Sequence, residues 1–394
     1  MKQIEKVNRA DMRQNNTRLI FETICRNDGI TRTQLVAKTG MSEMTVGRLV
    51  DLLLKNNLLT EKLNENNKDV GRPALRLYLN KDFVNVGVSL DTGEVFIGLV
   101  DPYGKILKSR KHSFQTESME PEETLGTVAE LIEKFIAEHD LKDIQNIGMV
   151  IPGLIDQESG CVRYSTQFKW SNVPVVEILK KNPNIPNVII ENDIKARAQG
   201  ETRLGVGKDS KCTILLNIGS GVGAGIVIGG EIYRGKENYA GEIGHTMLSM
   251  NNRICACGRK GCIETTISKG AFMHEAQTIH PDIDIAGIEA AYHEKKLWAS
   301  TLLGITADNI LMVINLLANT FAPDVIVLCG SLMDQCATLR EIVFDLHRKC
   351  YSEIFNNYFS LEYSKFGPDG NLIGAMAIAF NHNLTQIITN TAPS

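Results

Sequence analysis

No uninterrupted apolar run in this chain reaches the roughly eighteen residues that a membrane span needs. The first twenty residues, MKQIEKVNRADMRQNNTRLI, lack the apolar centre of a secretory signal. No membrane role and a cytoplasmic location are therefore expected. No repeat of solenoid length and no low-complexity segment occurs, so neither a stacked-repeat array nor a disordered tract is indicated. An even cysteine count is missing too. Nine cysteines do not fit a paired framework, and six are scattered: Cys25, Cys161, Cys212, Cys329, Cys336 and Cys350. In a reducing compartment these read as small buried hydrophobes. What remains is ordinary for a soluble globular protein: 43% hydrophobic, 22% charged, and 394 residues, enough for two or three domains.

Charge is unevenly spread. Residues 1–80 hold 14 Lys and Arg against 9 Asp and Glu, while the rest hold 28 against 37. A basic head on an acidic body points to an anionic partner for the head. The head carries three helical patterns. The first is NNTRLIFETICRNDG, with Leu19, Ile20 and Ile24 as its stripe. The second is TRTQLVAKTG, with Thr31 and Gln34 as a capping box and Gly40 as its stop. The third is SEMTVGRLVDLLLKNN, capped by Ser42 and striped by Val46, Leu49, Val50 and Leu53. The short turn between the second and third is the helix-turn-helix pattern. Leu75, Leu77 and Leu79 then alternate as a strand, and the polar run NENNKD suits a hairpin tip. Three helices and a hairpin make a winged helix-turn-helix. Its third helix would present Glu43, Thr45 and Arg48 to base edges. Arg72, in a Gly-Arg-Pro turn, suits a narrow A·T-rich minor groove. The competing reading of the head is a small protein-interaction domain.

The body contains an internal echo. VNVGVSLDTGEVFIGLVDPYGKIL at 84–107 and CTILLNIGSGVGAGIVIGGEIYRG at 212–235 share one order: strand, tight turn, strand, glycine turn. Two related α/β lobes follow from it. Strands are expected at NIGMVIPG and NVIIEND, a long helix from about Leu297 to Phe321, a strand at DVIVLCG, and a closing small-residue helix at NLIGAMAIAF. Ligands in such lobes sit at the carboxyl ends of strands. Three strand ends carry turn or polar groups: Pro152-Gly153, Glu191-Asn192-Asp193 and Gly219-Ser220-Gly221.

The stretch HTMLSMNNRICACGRKGCIE, 245–264, places His245 ten residues before Cys255, with Cys257 and Cys262 close behind. A disulfide would leave one thiol over. Zinc accounts for all three thiols, with imidazole as the fourth tetrahedral ligand; four protein ligands would make the metal structural. Arg259 and Lys260 would offset thiolate charge. A redox or incidental cysteine cluster is the alternative on spacing alone.

Several segments together resemble the ROK family of sugar kinases and sugar-responsive repressors. They are IPGLID (151–156), ENDIKARAQGE (191–201), IGSGVGAGIVIGGEIYRG (218–235), GEIGH (241–245), CACGRKGCIE (255–264) and PDVIVLCGS (323–331). The head resembles that of the repressor branch, the xylose-repressor type in particular. The resemblance implies an α/β fold: a two-lobed actin/hexokinase-like (RNase H-like) ROK body behind an N-terminal winged helix-turn-helix. The expected division is 1–80 for the head, 81–200 for the first lobe, completed by a C-terminal helix at about 371–386, and 201–370 for the second lobe with its zinc loop. Carried over position by position, the zinc ligands are His245, Cys255, Cys257 and Cys262. The sugar-binding positions are Gly153, Asn192, Asp193, Glu242, His245 and Glu264. One departure is Gln167, in STQFKW, where family kinases commonly have Asn.

Asp193 matches the family's catalytic base, which is needed only if the protein is a kinase. The phosphate hairpin departs further. Family kinases carry Asp-x-Gly-Gly-Thr; here Asp91-Thr92-Gly93-Glu94-Val95 stands instead. Glu94 would put an anion beside the triphosphate, a repulsion of about 4 kcal/mol per charge pair at about 4 Å in an effective dielectric of about 20. The expectation is a non-enzymatic, sugar-responsive transcriptional repressor of a carbohydrate-utilisation operon. It would act as a homodimer or homotetramer on a pseudopalindromic, A·T-rich operator, with a monosaccharide effector between the lobes. The alternatives are an ATP-dependent sugar kinase carrying a DNA-binding head, and a repressor whose body binds a partner protein.

Overall fold

The computed structural model describes residues 9–63, 75–113, 120–141, 144–248, 253–350 and 358–390, with side chains from Met12 to Thr389. The head comprises α1 (Arg9–Arg26), α2 (Arg32–Thr39), α3 (Glu43–Lys55) and the antiparallel pair β1 (Leu59–Leu63) and β2 (Leu75–Leu79). At the start of α2 the capping box closes: the Gln34 N–H donates to Thr31 Oγ1 at 3.2 Å and the Thr31 N–H to Gln34 Oε1 at 2.9 Å. Gly40 ends that helix at φ +69°, where a side chain would be strained. Ser42 caps α3 by accepting from the Thr45 N–H at 3.3 Å. Val46, Leu49, Val50 and Leu53 are buried. Two expected core positions move. Leu19 is 42% exposed and Leu75 is 46% exposed. Phe21 is buried beside Ile20 and Ile24, because α1 packs against the body as well as against its own head.

The first lobe is a five-stranded sheet in the order β10-β6-β3-β4-β5. Its strands are β3 (Asn85–Asp91), β4 (Glu94–Val100), β5 (Ile106–Ser113), β6 (Asn146–Ile151) and β10 (Asn187–Asn192). Helix α4 (Pro121–Glu138) covers one face. A small sheet of β7 (Leu154–Asp156), β8 (Cys161–Ser165) and β9 (Trp170–Val173) leads through α5 (Val175–Leu179) into β10, and α6 (Asp193–Leu204) follows. The second sheet runs β13-β12-β11-β14-β15. It is built from β11 (Cys212–Ile218), β12 (Val222–Ile228), β13 (Glu231–Ile232), β14 (Val325–Cys329) and β15 (Ser360–Tyr363). Read from β3 and from β11, the two sheets have one plan: an antiparallel meander on one side and parallel strands on the other. The internal echo in the sequence is thus a duplicated topology.

Between β13 and β14 lie α7 (Glu264–Ile267), α8 (Lys269–Ile279), α9 (Ile285–His293) and α10 (Leu297–Phe321); α11 (Ser331–Gln335) and α12 (Ala337–Cys350) follow β14. Helix α10 is long and apolar enough to cross a membrane. It buries Leu303, Ile310, Ile314 and Ala318 in the core of the second lobe, against α7, α8, α9 and α12. The last helix, α13 (Gly370–Asn390), returns to pack on β3 and β6 of the first lobe, while α6 packs on β11 and β12 of the second. The two helices therefore lie side by side between the sheets.

That closeness depends on missing side chains. A Cβ on Gly148 in β6 would sit 1.8 Å from the Ala375 carbonyl oxygen, and one on Gly374 would sit 2.5 Å from the Ala196 backbone. Gly148→Ala is expected to destabilise by about 3 kcal/mol, since backbone must move to admit it. Gly126→Ala, on the open face of α4 with nothing within 4 Å of its would-be Cβ, should instead stabilise by about 0.5–1 kcal/mol. Urea unfolding of the two variants checks both signs.

Candidate functional site

Strands β3, β6 and β10 run parallel, so their carboxyl ends meet at one edge of the first lobe. They deliver Asp91, Gly153 and the Asn192-Asp193 pair. Asn192 is 8% exposed and caps α6: its Oδ1 accepts from the Lys195 N–H at 3.0 Å. Its Nδ2 donates to the Gly153 carbonyl at 3.0 Å and to Asp193 Oδ1 at 3.1 Å. Gly153 holds φ +138°, and a Cβ there would lie 2.6 Å from the Tyr164 carbonyl. Gly153, Asn192 and Asp193 therefore form one bonded corner.

Burial first, and then the charge of Asp91, pushes the Asp193 carboxyl up to about 6 against the opposing pull of Arg197. In the unfolded chain this group titrates at about 4. Between those values the folded protein keeps a proton that the unfolded chain has released. The stability it contributes is complete below about pH 4 and is lost as pH rises through about 6. Asp193→Asn should abolish that loss. Its gain over the parent should grow from about pH 4 and level off above about pH 6.5, as read from urea midpoints across the range. A gain constant with pH would contradict the assignment.

Behind this corner lies a buried polar network absent from the sequence reading. Glu191 is fully buried; its Oε2 pairs with Arg234 at 2.6 Å and its Oε1 accepts from the Asn192 N–H at 2.9 Å. Lys195, 3% exposed, donates to Asn238 Oδ1 at 3.0 Å, and Asn238 Nδ2 donates to the Ile155 carbonyl at 2.6 Å. Arg234 and Asn238 follow β13 of the second lobe, so this network joins the lobes. Its signal in the sequence was the polar run from Glu191 through Lys195, at the end of the apolar strand NVII.

On the second lobe, residues 239–245 lie along β12. The Ala224 N–H donates to the Gly241 carbonyl at 2.8 Å, and a Cβ on Gly241, at φ +93°, would fall 1.9 Å from the Ala224 oxygen. Glu242 is exposed, and its charge reaches Lys195. His245 is half-buried, with Nδ1 3.5 Å from Cys255 Sγ. Cys257 and Cys262 sulfurs are 3.6 Å apart, and the four donor atoms of His245, Cys255, Cys257 and Cys262 lie within 4.8 Å of one another. A tetrahedron with bonds of about 2.3 Å has edges of about 3.8 Å, so the donor set fits a four-coordinate cation. The thiols are also electrostatically unequal. Burial pushes Cys255 up to about 12 and raises Cys262; at Cys257 burial is outweighed by hydrogen bonds from Arg259 and the neighbouring thiols, and the shift is downward.

Glu264, at the start of α7, ties the cluster to the glycine turn. Its Oε2 accepts from the Val222 N–H at 3.1 Å, while Oε1 lies 3.6 Å from Cys255 Sγ. The six expected sugar positions thus stand in two groups, Gly153-Asn192-Asp193 and Glu242-His245-Glu264. The groups approach each other at Gly223, where a Cβ would meet Ile194 at 2.7 Å and the Gly241 oxygen at 3.8 Å.

The β3–β4 hairpin is unlike a phosphate cradle. Val95 is fully buried in the first-lobe core, and Glu94 pairs with Lys111 at 3.2 Å. In the head, Glu43 and Arg48 are exposed, and the Thr45 hydroxyl lies 2.9 Å from that of Ser42. Arg72 lies outside the described residues. Met44, which the sequence reading passed over, is 85% exposed at the start of α3, an apolar tip suited to a thymine methyl. Part of the head's basic excess is structural: Arg32 is held by Asp51 and Glu61, and Arg18 by Glu231 of the body.

The sequence model of the ROK family matches residues 85–382. The xylose repressor of Bacillus spizizenii is 29% identical over 381 residues, covering 94% of this chain and 96% of its own. A ROK family transcriptional regulator described as a homologue of the E. coli MLC protein shares the fold at a TM-score of 0.79 and 23% identity, over 96% of this chain and 98% of its own. A ROK hexokinase from Thermus thermophilus shares it at a TM-score of 0.66 and 24% identity, over 76% of this chain and 99% of its own.

Proposed function

Because the chain belongs to the ROK family, we propose that it is a sugar-responsive transcriptional repressor of a carbohydrate-utilisation operon. The observation that carries this reading is the direct packing of a helix-turn-helix head onto the body. Ile20, Phe21 and Ile24 of α1 share one core with Leu372, Met376 and Phe380 of α13. The match to a xylose repressor along almost its whole length supports it.

In this reading a monosaccharide sits between the lobes. Asn192 and Asp193 meet its hydroxyls from the first lobe, with Gly153 leaving room for the ring; Glu242, His245 and Glu264 meet it from the second. Carboxylates and amides suit hydroxyls, which both donate and accept. A zinc ion held by His245, Cys255, Cys257 and Cys262 is structural: when bound, it supplies the positive charge that lets three thiolates share one loop. His245 would use Nδ1 on the metal side and Nε2 on the sugar side. The four residues keep Glu242 and Glu264 at a fixed spacing. Glu43, Thr45, Arg48 and Arg72, with Met44, would read an A·T-rich, pseudopalindromic operator from two heads of a homodimer or homotetramer. The sugar favours one lobe arrangement, α13 moves with the first lobe, and α1 moves with α13. Operator affinity then changes by the ligand's differential affinity for the two arrangements.

Fluorescence anisotropy of a labelled operator fragment, titrated with the chain across a panel of monosaccharides and disaccharides, tests this. One sugar should change the dissociation constant by about 5- to 150-fold. A constant affinity with every sugar would sink the reading. A kinase reading has one observation in its favour: Asp193, with its carboxyl raised to about 6, suits a general base. Sugar-dependent ATP turnover that disappears in Asp193→Ala would establish it. The buried Val95 and the Glu94–Lys111 pair argue against it.

A further inference from the structure

A cavity of about 670 Å³ opens between the β7–β8 hairpin of the first lobe and residues 234–239 of the second. None of the six expected sugar positions lines it, yet it adjoins them. Leu154 in its wall follows Gly153, and the Tyr239 carbonyl accepts from the Glu242 N–H at 3.5 Å. Its volume lies well inside the range of about 300–1,000 Å³ found for sites that hold drug-sized ligands. Two aromatic rings stand at it with much of their surface uncovered: Tyr164 is 54% exposed and Tyr239 is 58% exposed.

The chemistry of the wall selects a ligand class. Tyrosine rings offer flat apolar faces with a hydroxyl at the edge, which matches the apolar face and polar rim of a sugar ring. Asp156, Glu158 and Glu237 supply acceptors. The two guanidiniums in the wall are engaged: Arg163 with Asp156 at 2.5 Å and Arg234 with Glu191 at 2.6 Å. Asp156 is the partner of Arg163 and Glu237 lies 3.8 Å from Lys236, so neither wall guanidinium is free to bind a phosphate. The loop itself is held in place. Gly235, Glu237 and Asn238 all have φ between +52° and +64°, and Asn238 is anchored by Lys195 and by the Ile155 carbonyl. Backbone in that region is costly for side chains other than glycine and is retained where surrounding contacts impose it.

We propose that this cavity is a second sugar subsite, so that the effector is a neutral carbohydrate of two or more rings. One ring occupies the inner pocket, and the next stacks on Tyr164 and Tyr239. The inference rests on the sugar-binding reading above and extends its effector from one ring to two or more, the first of them still in the inner pocket. A two-ring ligand touches the first-lobe hairpin and the second-lobe turn at once, so it reports on lobe closure more strongly than a single ring.

Titration calorimetry of the full chain tests this with xylose against xylobiose and glucose against cellobiose and maltose. One disaccharide should bind about tenfold or more tightly than its own monosaccharide. In Tyr164→Ala the ratio of the two affinities should fall to about one, and Tyr164→Phe should restore it, because the ring face is retained. Tyr164 is 54% exposed on a hairpin, so both variants should fold, which the melting temperature of each checks. Disaccharides that bind no more tightly than their monosaccharides would overturn the second subsite while sparing the inner one. So would an unchanged ratio in Tyr164→Ala. Absence of heat with every sugar, single or double, would overturn the parent reading together with this one.

Discussion

Cys262→Ser should purify without its metal and melt on the order of 10 °C below the parent protein. Cys262 is fully buried, and its neighbour Ile263 is part of the second-lobe core. Among the described residues, 246–263 form no regular helix or strand, only turns and two isolated bridges, Met247 with Cys262 and Ile254 with Lys260. Short loops of this kind take their order from the cation, because folding and metal binding are then one event. Loss of a structural metal belongs to the few single changes that cost about 4 kcal/mol or more. The serine hydroxyl is a poor replacement for a thiolate, and the remaining two thiols and imidazole bind far more weakly. Elemental analysis should find about one zinc per chain in the parent and almost none in the variant. The sugar response should go with it, since Glu242, His245 and Glu264 ride on the same loop. Operator binding without sugar should survive, because the head touches none of these residues. Full metal content, or an unchanged melting temperature, would show that the loop folds without the ion.

Phe380→Ala is expected to separate the head from the body. Phe380 is fully buried and stacks on Phe21 of α1 with ring centroids 5.4 Å apart. Phe83 meets it edge-on at 5.5 Å, and the Arg203 guanidinium lies 3.6 Å above its ring. Truncation to alanine should cost about 3–5 kcal/mol, the range for a large aromatic removed from a packed core. Part of that loss falls on the contact between α1 and α13, through the Phe21 ring. Calorimetry should then resolve an early transition for the head and a later one for the body, where the parent should show one. Operator affinity in the variant should no longer depend on sugar, although the sugar should still bind. A single transition at the parent temperature would mean that the head–body contact is minor, and the route from α13 to α1 would fall with it.

Much of the local architecture was legible in the sequence. Thr31 and Gln34 marked the start of α2, Ser42 the start of α3, and the apolar period of α10 set its limits at Leu297 and Phe321. Capping and periodicity are properties of residues within one or two turns of each other, so a sequence carries them whole. Leu19 and Leu75 show where that stops. Each had the right spacing for a core position, and each is exposed, because neighbouring elements decided which face was covered.

The candidate site divides along the same line. His245, Cys255, Cys257 and Cys262 were visible because their chain separation is short and three thiols with an imidazole suit a four-coordinate cation, a redox or incidental cluster being the alternative on spacing. Their donor atoms do converge. Asn192 and Asp193 were visible through their motif. The bonds that hold them were not: the Asn192 amide on Gly153, the Glu264 carboxylate on Val222, and Lys195 on Asn238 each join residues about 40 positions apart.

The sequence by itself determined the helix caps, the close spacing of His245, Cys255, Cys257 and Cys262, the doubled lobe pattern and the apolar side chain of Val95 in the β3–β4 hairpin. Only the tertiary structure decided that α6 and α13 lie glycine-close between two sheets, that Glu191 and Lys195 are buried ties between lobes, and that Tyr164 and Tyr239 open on one cavity. The physical reason is range. Backbone hydrogen bonds and side-chain periodicity act between near neighbours in the chain, whereas burial, ion pairing and cavities depend on which distant segments the core brings together.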